Sequence, residues 1–292
     1  MLNGYDINFV NLGIKIQNLK SSISVFGFEI AFYGIIICFG MIAGILMACW
    51  NSKRVGDNPD IYIDFAIYGI VFSVIGARLY YVIFSWDFYK DNLWQIFNIR
   101  GGGLAIYGGI IAAVITLVVY TKLKKLSFYK MADIGCIGLI TGQIIGRWGN
   151  FFNCEAFGGY TENIFAMQIR KGLVNSSMLS QELLDNLKVV SGIEYIQVHP
   201  TFFYESVWNL GVLVLMLIYL KHKRFDGEIL GIYFIGYGLG RLWIEGLRTD
   251  QLKLFSTNIA VSQLLSLVLV VTAAITIGLK YKKLNGNRKL HG

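Results

Sequence analysis

Seven runs of about 20 mostly apolar residues, near 27–49, 61–84, 102–120, 131–153, 200–220, 229–247 and 258–279, occupy most of this 292-residue chain. A backbone in hydrocarbon has to satisfy its own hydrogen bonds, so runs of this length are expected to be helices that span a bilayer. Composition agrees, because 55% hydrophobic and 15% charged residues leave too little polar surface for a soluble globule. The expected fold class is an all-α polytopic membrane protein with seven transmembrane helices. No stretch remains for a soluble domain of ordinary size.

The residues between the spans give the chain a direction. Segments 50–60, 121–130, 221–228 and the C-terminal tail together with Lys280 hold 14 Lys and Arg, whereas the alternate set, with 85–101, 154–199, 248–257 and the N-terminal segment, holds 9 over longer stretches. The positive-inside rule then places the first set in the cytoplasm and the N-terminus outside. It also accounts for the net charge of +8 without any nucleic-acid partner. Residues 1–26 lack the basic start, apolar core and small-residue cleavage site of a signal peptide, so they are expected to lie folded on the outer face.

The resulting division is an extracytoplasmic segment 1–26, helices one to four in 27–153, an extracytoplasmic head 154–199, helices five to seven in 200–280, and a basic cytoplasmic tail 281–292. The head, between helices four and five, reads as a small α/β unit. Phe165 to Ile169 alternates like a strand, Ser177 to Val190 reads as an amphipathic helix, and Ile193 to Val198 reads as a second strand. Such a cap is expected to shape entry to a site beneath it, the alternative being a passive connector.

Arg78, Arg147 and Arg241 interrupt spans two, four and six. A guanidinium at membrane depth costs at least about 2.5–3.5 kcal/mol unless the protein offsets it, so each marks a candidate functional position. At helical rise they stand about 20–25 Å from the cytoplasmic ends of their spans, in the outer half of the bilayer core. The alternative is that they snorkel to the outer headgroups. Gln143, Arg147 and Asn150 fall on one helical face, as do Tyr237, Arg241, Glu245 and Arg248. On the reverse of the fourth span, Gly138, Gly142 and Gly146 form a small-residue packing stripe.

Other polar residues gather at the same level. Tyr33 begins the first span, Gly101 to Gly103 with Tyr107, Gly108 and Gly109 begins the third, and His199 to Glu205 begins the fifth. Glycines at a helix start either let backbone N–H groups approach an anion or serve packing. Asp64 and Asp133 sit at cytoplasmic helix starts, where an acid complements the helix dipole, and are read as structural. Buried positive charge on two stripes points to an anionic substrate.

Several chemistries find no motif. Cys38, Cys49 and Cys136 lie within apolar spans, Cys154 alone is near the outer site, and neither CxxC, HExxH nor a nucleophile elbow occurs. No metal is expected. His222 and His291 belong to cytoplasmic segments, which leaves His199 as the histidine near the outer face.

The block Gly146-Arg147-Trp148-Gly149-Asn150-Phe151-Phe152-Asn153-Cys154-Glu155-Ala156-Phe157-Gly158 resembles the signature of the prolipoprotein diacylglyceryl transferases, a bacterial family. Tyr33-Gly34, Gly103 to Gly109, His199-Pro200 to Tyr204-Glu205, and Gly236 through Arg241 and Glu245 to Arg248 extend the similarity in order from the first span to the sixth. The resemblance implies seven spans and a site facing the outer leaflet of the bacterial cytoplasmic (inner) membrane. It implies transfer of a diacylglyceryl group from phosphatidylglycerol to the lipobox cysteine of a prolipoprotein signal peptide, with release of glycerol phosphate and no cofactor.

In that frame Arg147 and Arg241 are expected to hold the phosphate, since a guanidinium offers bidentate donors and stays charged. Asn150 would orient the headgroup or Arg147, Glu155 would order the turn behind it, Glu245 would brace Arg241 or Arg248, and Gly158 would serve the backbone. Tyr33, Arg78, Tyr237 and Arg248 complete the expected substrate-binding set. Some family members carry histidine where this chain has Tyr107, whose phenol is a poorer base near neutral pH. Tyr107 is therefore expected to hydrogen-bond the headgroup or the incoming cysteine, and His199 is a candidate base or a plain helix start. The rival reading, an anionic-lipid or anion transporter, meets only Pro59 and Pro200, both outside the spans, and no paired interrupted helices. An intramembrane protease would need paired aspartates or a metal motif within the spans.

Overall fold

Among the described residues seven long helices follow one another: α1 Phe32–Arg54, α2 Pro59–Phe84, α3 Ile106–Leu123, α4 Phe128–Phe152, α5 Thr201–Tyr219, α6 Glu228–Leu247 and α7 Val261–Leu290. The computed structural model describes residues 4–99, 101–253 and 259–290, with side chains to residue 286. Arg100 and His291, which entered the charge and histidine readings, lie outside the described residues, as do the side chains of Arg288 and Lys289. Among the described residues, α1, α2, α3, α5 and α7 are long and apolar enough to cross a membrane. The other two carry more charge along their length: Lys130, Asp133 and Arg147 in α4, and Glu228, Arg241 and Glu245 in α6.

Among the described residues seven short strands form an antiparallel sheet of order β2-β1-β5-β7-β6 and a separate hairpin, β3-β4. The strands are β1 Ile7–Phe9, β2 Ile14–Ile16, β3 Ser22–Val25, β4 Phe28–Ala31, β5 Met167–Arg170, β6 Lys188–Val190 and β7 Ile193–Val198. The chain divides into two compact units, Met1–Gly44 with Ile137–Arg224 and Glu228–Gly292, and Ile45–Cys136 with Phe225–Gly227.

The first unit contains the sheet, and here the structure departs from expectation. Residues 154–199 do not form the head alone, because β1 pairs with β5 through Ile7↔Ile169 and Phe9↔Met167 and so brings the N-terminal segment into the same sheet. One face of the sheet is apolar, with Ile7, Met167, Ile169, Ile196 and Val198 packed on Phe151 from the end of α4 and Phe202 from the start of α5. Alternation puts amides on the opposite face. There Asn8 donates to Gln168 at 3.1 Å, Gln168 to Gln197 at 3.0 Å, and Gln197 to the Thr161 carbonyl at 2.7 Å. The head is thereby fixed to the two helix ends that carry Arg147 and Glu205.

Three boundaries also shift. The first span starts later than expected because the hairpin β3-β4 occupies residues 22–31. The expected helix 177–190 shrinks to Gln181–Asp185, with Ser180 accepting from the Leu183 amide as its N-cap, and the chain then turns into β6. The basic tail is the end of α7, whose helix continues to Leu290. β7 fills the second expected strand residue for residue.

Glycine governs the packing of α1 on α4. A Cβ at Gly44 would stand 2.6 Å from the Gly138 carbonyl oxygen, and one at Gly40 would stand 3.1 Å from that of Gly142. α5, α6 and α7 pack in sequence, with Gly236 against Val212 and Gly238 against Val270 and Ser266.

In the second unit α2 and α3 cross where a Cβ at Gly76 would lie 2.8 Å from the Gly108 oxygen. Asn58 caps α2 by accepting from the Asp60 amide, with Pro59 at the first helical position. Asp133 accepts from the Gly227 amide at 2.9 Å, a structural role as expected.

Candidate active site

Glu205 sits one turn into α5, 3% exposed, and gathers three guanidiniums of the first unit. Its Oε2 lies 2.6 Å from Arg147 Nη2 on α4 and accepts from Arg241 Nη1 on α6 at 3.2 Å. Its Oε1 lies 3.7 Å from Arg248 Nη1, just beyond α6. Glu245 braces the same group, with Oε2 2.6 Å from Arg241 Nη2 and 4.0 Å from Arg248 Nε. Asp250 accepts from Arg248 Nε at 2.9 Å and Nη2 at 2.8 Å. Burial alone would raise the Asp250 carboxyl pKa, but the Arg248 hydrogen bond and charge outweigh it and leave the pKa below the usual carboxylate value. Three arginines and three carboxylates thus form one charge-matched cluster that joins three helices.

The arginines differ in what they have left to offer. Arg147 reaches Glu205 with one nitrogen, and among the described residues its other N–H groups have no protein partner. Arg78, in the second unit, is fully committed. Its Nε donates to Ile96 O, Nη1 to Gly102 O and Gly103 O, and Nη2 to Gln95 O and Asn98 O, at 2.6 to 3.0 Å. The guanidinium also faces the Tyr89 ring, 5.1 Å from its centroid. All five donors are spent on loop carbonyls, which leaves none for a substrate. The Arg78 charge is offset by these carbonyl dipoles and by the Tyr89 ring face.

Around the cluster, the chain is fixed by backbone crossings. α4 ends as Cys154 and Ala156 turn left-handed, at φ 49° and 56°. Asn150 Nδ2 donates to Glu155 Oε1 at 2.9 Å, while the Glu155 amide returns to the Asn150 carbonyl at 3.0 Å. Gly158 follows, where three segments meet: its amide donates to His199 O, and it bridges to Arg248. A Cβ there would lie 2.7 Å from His199 Cβ and 2.9 Å from the Leu247 oxygen. Only a residue without a side chain fits this crossing. Tyr33 lies against Gly149, whose Cβ would stand 2.7 Å from the ring.

His199 belongs to a separate polar group. Asn163 Nδ2 lies 3.3 Å from its Nδ1 and donates to Tyr204 OH at 2.9 Å. Burial holds the imidazole pKa below its usual value, opposed by the charge of Glu182. Burial pushes the Cys154 thiol up to about 11, aided by the charges of Asp6 and Glu155, so it is no thiolate near neutral pH. One to two turns beneath the arginines, the Tyr237 ring stacks on Tyr233 with centroids 5.4 Å apart, and Gln143 Nε2 donates to Tyr233 OH at 3.0 Å. Tyr107 is half-buried in the first turn of α3, in the second unit, with no hydrogen bond at its hydroxyl among the described residues. Among the described residues, no group of three or more His, Cys, Asp or Glu is placed to hold a metal.

Of the expected set, Arg147, Arg241, Glu245 and Arg248 come together. Asn150, Glu155, Gly158, Tyr33 and Tyr237 frame them, while His199 sits in its own group. Glu205 and Asp250 belong to the cluster without being among the expected site residues. The rule that marked the arginines, a charge inside an apolar run, applies equally to Glu205.

A family model described as prolipoprotein diacylglyceryl transferase matches residues 20–279 of this chain. Relatives named phosphatidylglycerol--prolipoprotein diacylglyceryl transferase include one from Clostridioides difficile, 40% identical over 88% of this chain and 93% of its own length. Another, from Finegoldia magna, is 41% identical over 90% and 96%. A third, from Listeria welshimeri, is 40% identical over 94% of each.

Proposed function

The chain belongs to the prolipoprotein diacylglyceryl transferase family, and on that premise we propose that its arginine cluster holds the phosphate of phosphatidylglycerol while the diacylglyceryl group passes to a prolipoprotein cysteine. The chain is a transferase of lipoprotein biosynthesis. The observation that carries the role of the cluster is the uncommitted donor set of Arg147, beside Arg241 and against the shared acceptor Glu205.

In the transfer, the cysteine sulfur forms a bond to the terminal glyceryl carbon as that carbon's bond to the phosphate oxygen breaks. The electron pair leaves on glycerol phosphate, and the thiol proton is released. A phosphodiester with one negative charge becomes a monoester that carries nearly two at neutral pH. Catalysis of such a displacement rests on alignment and on stabilising the charge that grows on the leaving group. Arg147 and Arg241 supply fixed forked donors for that charge. Glu205 and Glu245 keep both guanidiniums aimed, and in the absence of an anion they offset the guanidinium charge within the apolar surroundings.

Asn150 and Glu155 position the turn behind Arg147, and Gly158 keeps the α4, α5 and α6 ends in register. Tyr33 and Tyr237 line the approach, Tyr107 contacts the headgroup or the incoming peptide, and His199 positions Tyr204. Arg78 closes the 95–103 loop. The charge asymmetry of the loops supports seven membrane helices, with the N-terminus and head outside the bacterial cytoplasmic membrane and the C-terminus inside. Substrate peptides would present their lipobox cysteine at the outer leaflet.

The test is to incubate purified protein with phosphatidylglycerol and a lipobox peptide, then look by mass spectrometry for a diacylglyceryl adduct. An adduct that vanishes when the peptide cysteine is serine supports the reading. Full activity in both Arg147→Lys and Arg241→Lys would overturn the phosphate assignment.

A further inference from the structure

Directly beneath the arginine cluster lies a buried donor that none of the described residues uses. Asn209 is on α5, one helical turn below Glu205 on the same face, and is 2% exposed. Its Nδ2 is buried without a hydrogen-bond partner among the described residues. The surrounding contacts fix where that face points. Ser206, three residues earlier, donates to Ile144 O on α4 at 3.0 Å, and Val212, three residues later, packs on Gly236 of α6. Asn209 therefore lies between α4 and α6, at the level of Gln143 and Tyr237. Leaving an amide N–H unpaired in such a place is costly, on the order of 1–3 kcal/mol, and buried donors in native proteins are rarely left so.

Resting on the phosphate assignment above, we infer that Asn209 donates to an ester carbonyl of the diacylglyceryl group and makes the enzyme selective for acyl over alkyl lipids. The geometry matches the lipid. One helical turn, about 5.4 Å, separates Asn209 from Glu205 along α5, and the P–O–C–C–O–C path from the phosphorus to the nearer ester carbonyl spans a comparable distance. With the phosphate at Arg147 and Arg241 and the chains directed toward the bilayer centre, that carbonyl falls at the level of Asn209. An ester carbonyl is an acceptor only, which is what an unpaired Nδ2–H requires. Gln143 Oε1, also buried and unpartnered, is an acceptor and cannot serve the ester, so the contact falls to Asn209.

The test compares phosphatidylglycerol bearing two ester-linked chains with the analogue bearing two ether-linked chains of equal length, each with a lipobox peptide and the full-length enzyme. The wild type should favour the ester lipid about tenfold in kcat/KM, the scale of one buried donor losing its acceptor. Asn209→Leu should slow transfer from the ester lipid and bring the ester-to-ether ratio close to one. Asn209→Asp, which keeps the shape but presents oxygen, should abolish the preference as well and provides the readout if the leucine variant does not fold. A wild type indifferent to the linkage, or variants that keep the wild-type ratio, would overturn the inference. If the wild type makes no adduct from either lipid, the transfer reading itself fails, which is a separate outcome.

Discussion

Arg147 and Glu205 meet at 2.6 Å from helices separated in sequence by the whole head segment. Because Glu205 also accepts from Arg241 and approaches Arg248, its carboxylate is the common partner of all three cationic groups. Glu205→Gln keeps the volume and removes the charge. The expected outcome is a fall in transfer of about 10²–10³-fold, the scale of losing an aligned electrostatic group, in a protein that still purifies as a folded species. Initial rates by mass spectrometry, with circular dichroism as the folding control, check it.

Arg147→Lys and Arg241→Lys are each expected to lower kcat/KM by about 10²-fold or more, since lysine keeps the charge but loses the planar fork. By contrast His199→Gln should retain activity within about tenfold, because His199 bonds Asn163 and Tyr204 and stands apart from the cluster. A rate for His199→Gln as low as that of the arginine variants would assign the imidazole to the reaction.

His199 also gives a pH expectation. Its folded pKa is depressed by burial, so its contribution to stability is present above the unfolded value, about 6.5, and is lost as pH falls through the lower folded value. The Tm of the wild type should therefore fall on acidification below about pH 6.5, and His199→Gln should show a shallower decline.

Gly158→Ala is expected to destabilise the protein by about 1–3 kcal/mol, the range for an overpacked site, because the added methyl meets His199 Cβ and the Leu247 oxygen. The measurement is a lower Tm together with lost transfer. An alanine variant of wild-type Tm and activity would contradict the crossing described at this residue.

Arg78→Lys should leave at least two of the five loop carbonyls without their donor, since lysine carries only three N–H groups. Faster proteolysis within 95–103 and a lower Tm are expected. Undiminished protection of that loop would show that the carbonyls need no guanidinium.

How far the sequence could be read differs from residue to residue. Arg147 and Arg241 stood out because a bilayer makes charge conspicuous, and their helical faces followed from spacing alone. Arg78 stood out by the same logic and proved to be a loop clamp, since carbonyl partners are invisible in a sequence. Glu205 stands one turn into α5, where an acid also suits a helix N-terminus, so sequence alone does not separate a dipole partner from an arginine partner. β1 and β2, at three residues each, are too short to show alternation, and β1 pairs with a strand far along the chain. The 177–190 reading failed because its leucines have helical spacing, yet Leu183 is drawn into the head core and the chain turns at Asn186.

The sheet order has a consequence for synthesis. Tyr5 bonds Gln168, 163 residues later, and β1 has β5 as a neighbour. At ordinary elongation rates the first strand emerges on the order of 10 s before its partner exists. In that interval α1 to α4 leave the ribosome while β1 has only β2 to pair with and its other edge stays open. The head is therefore a clasp that closes only after more than half of the protein has been made, and anything fused ahead of Tyr5 would travel with the piece that has to wait.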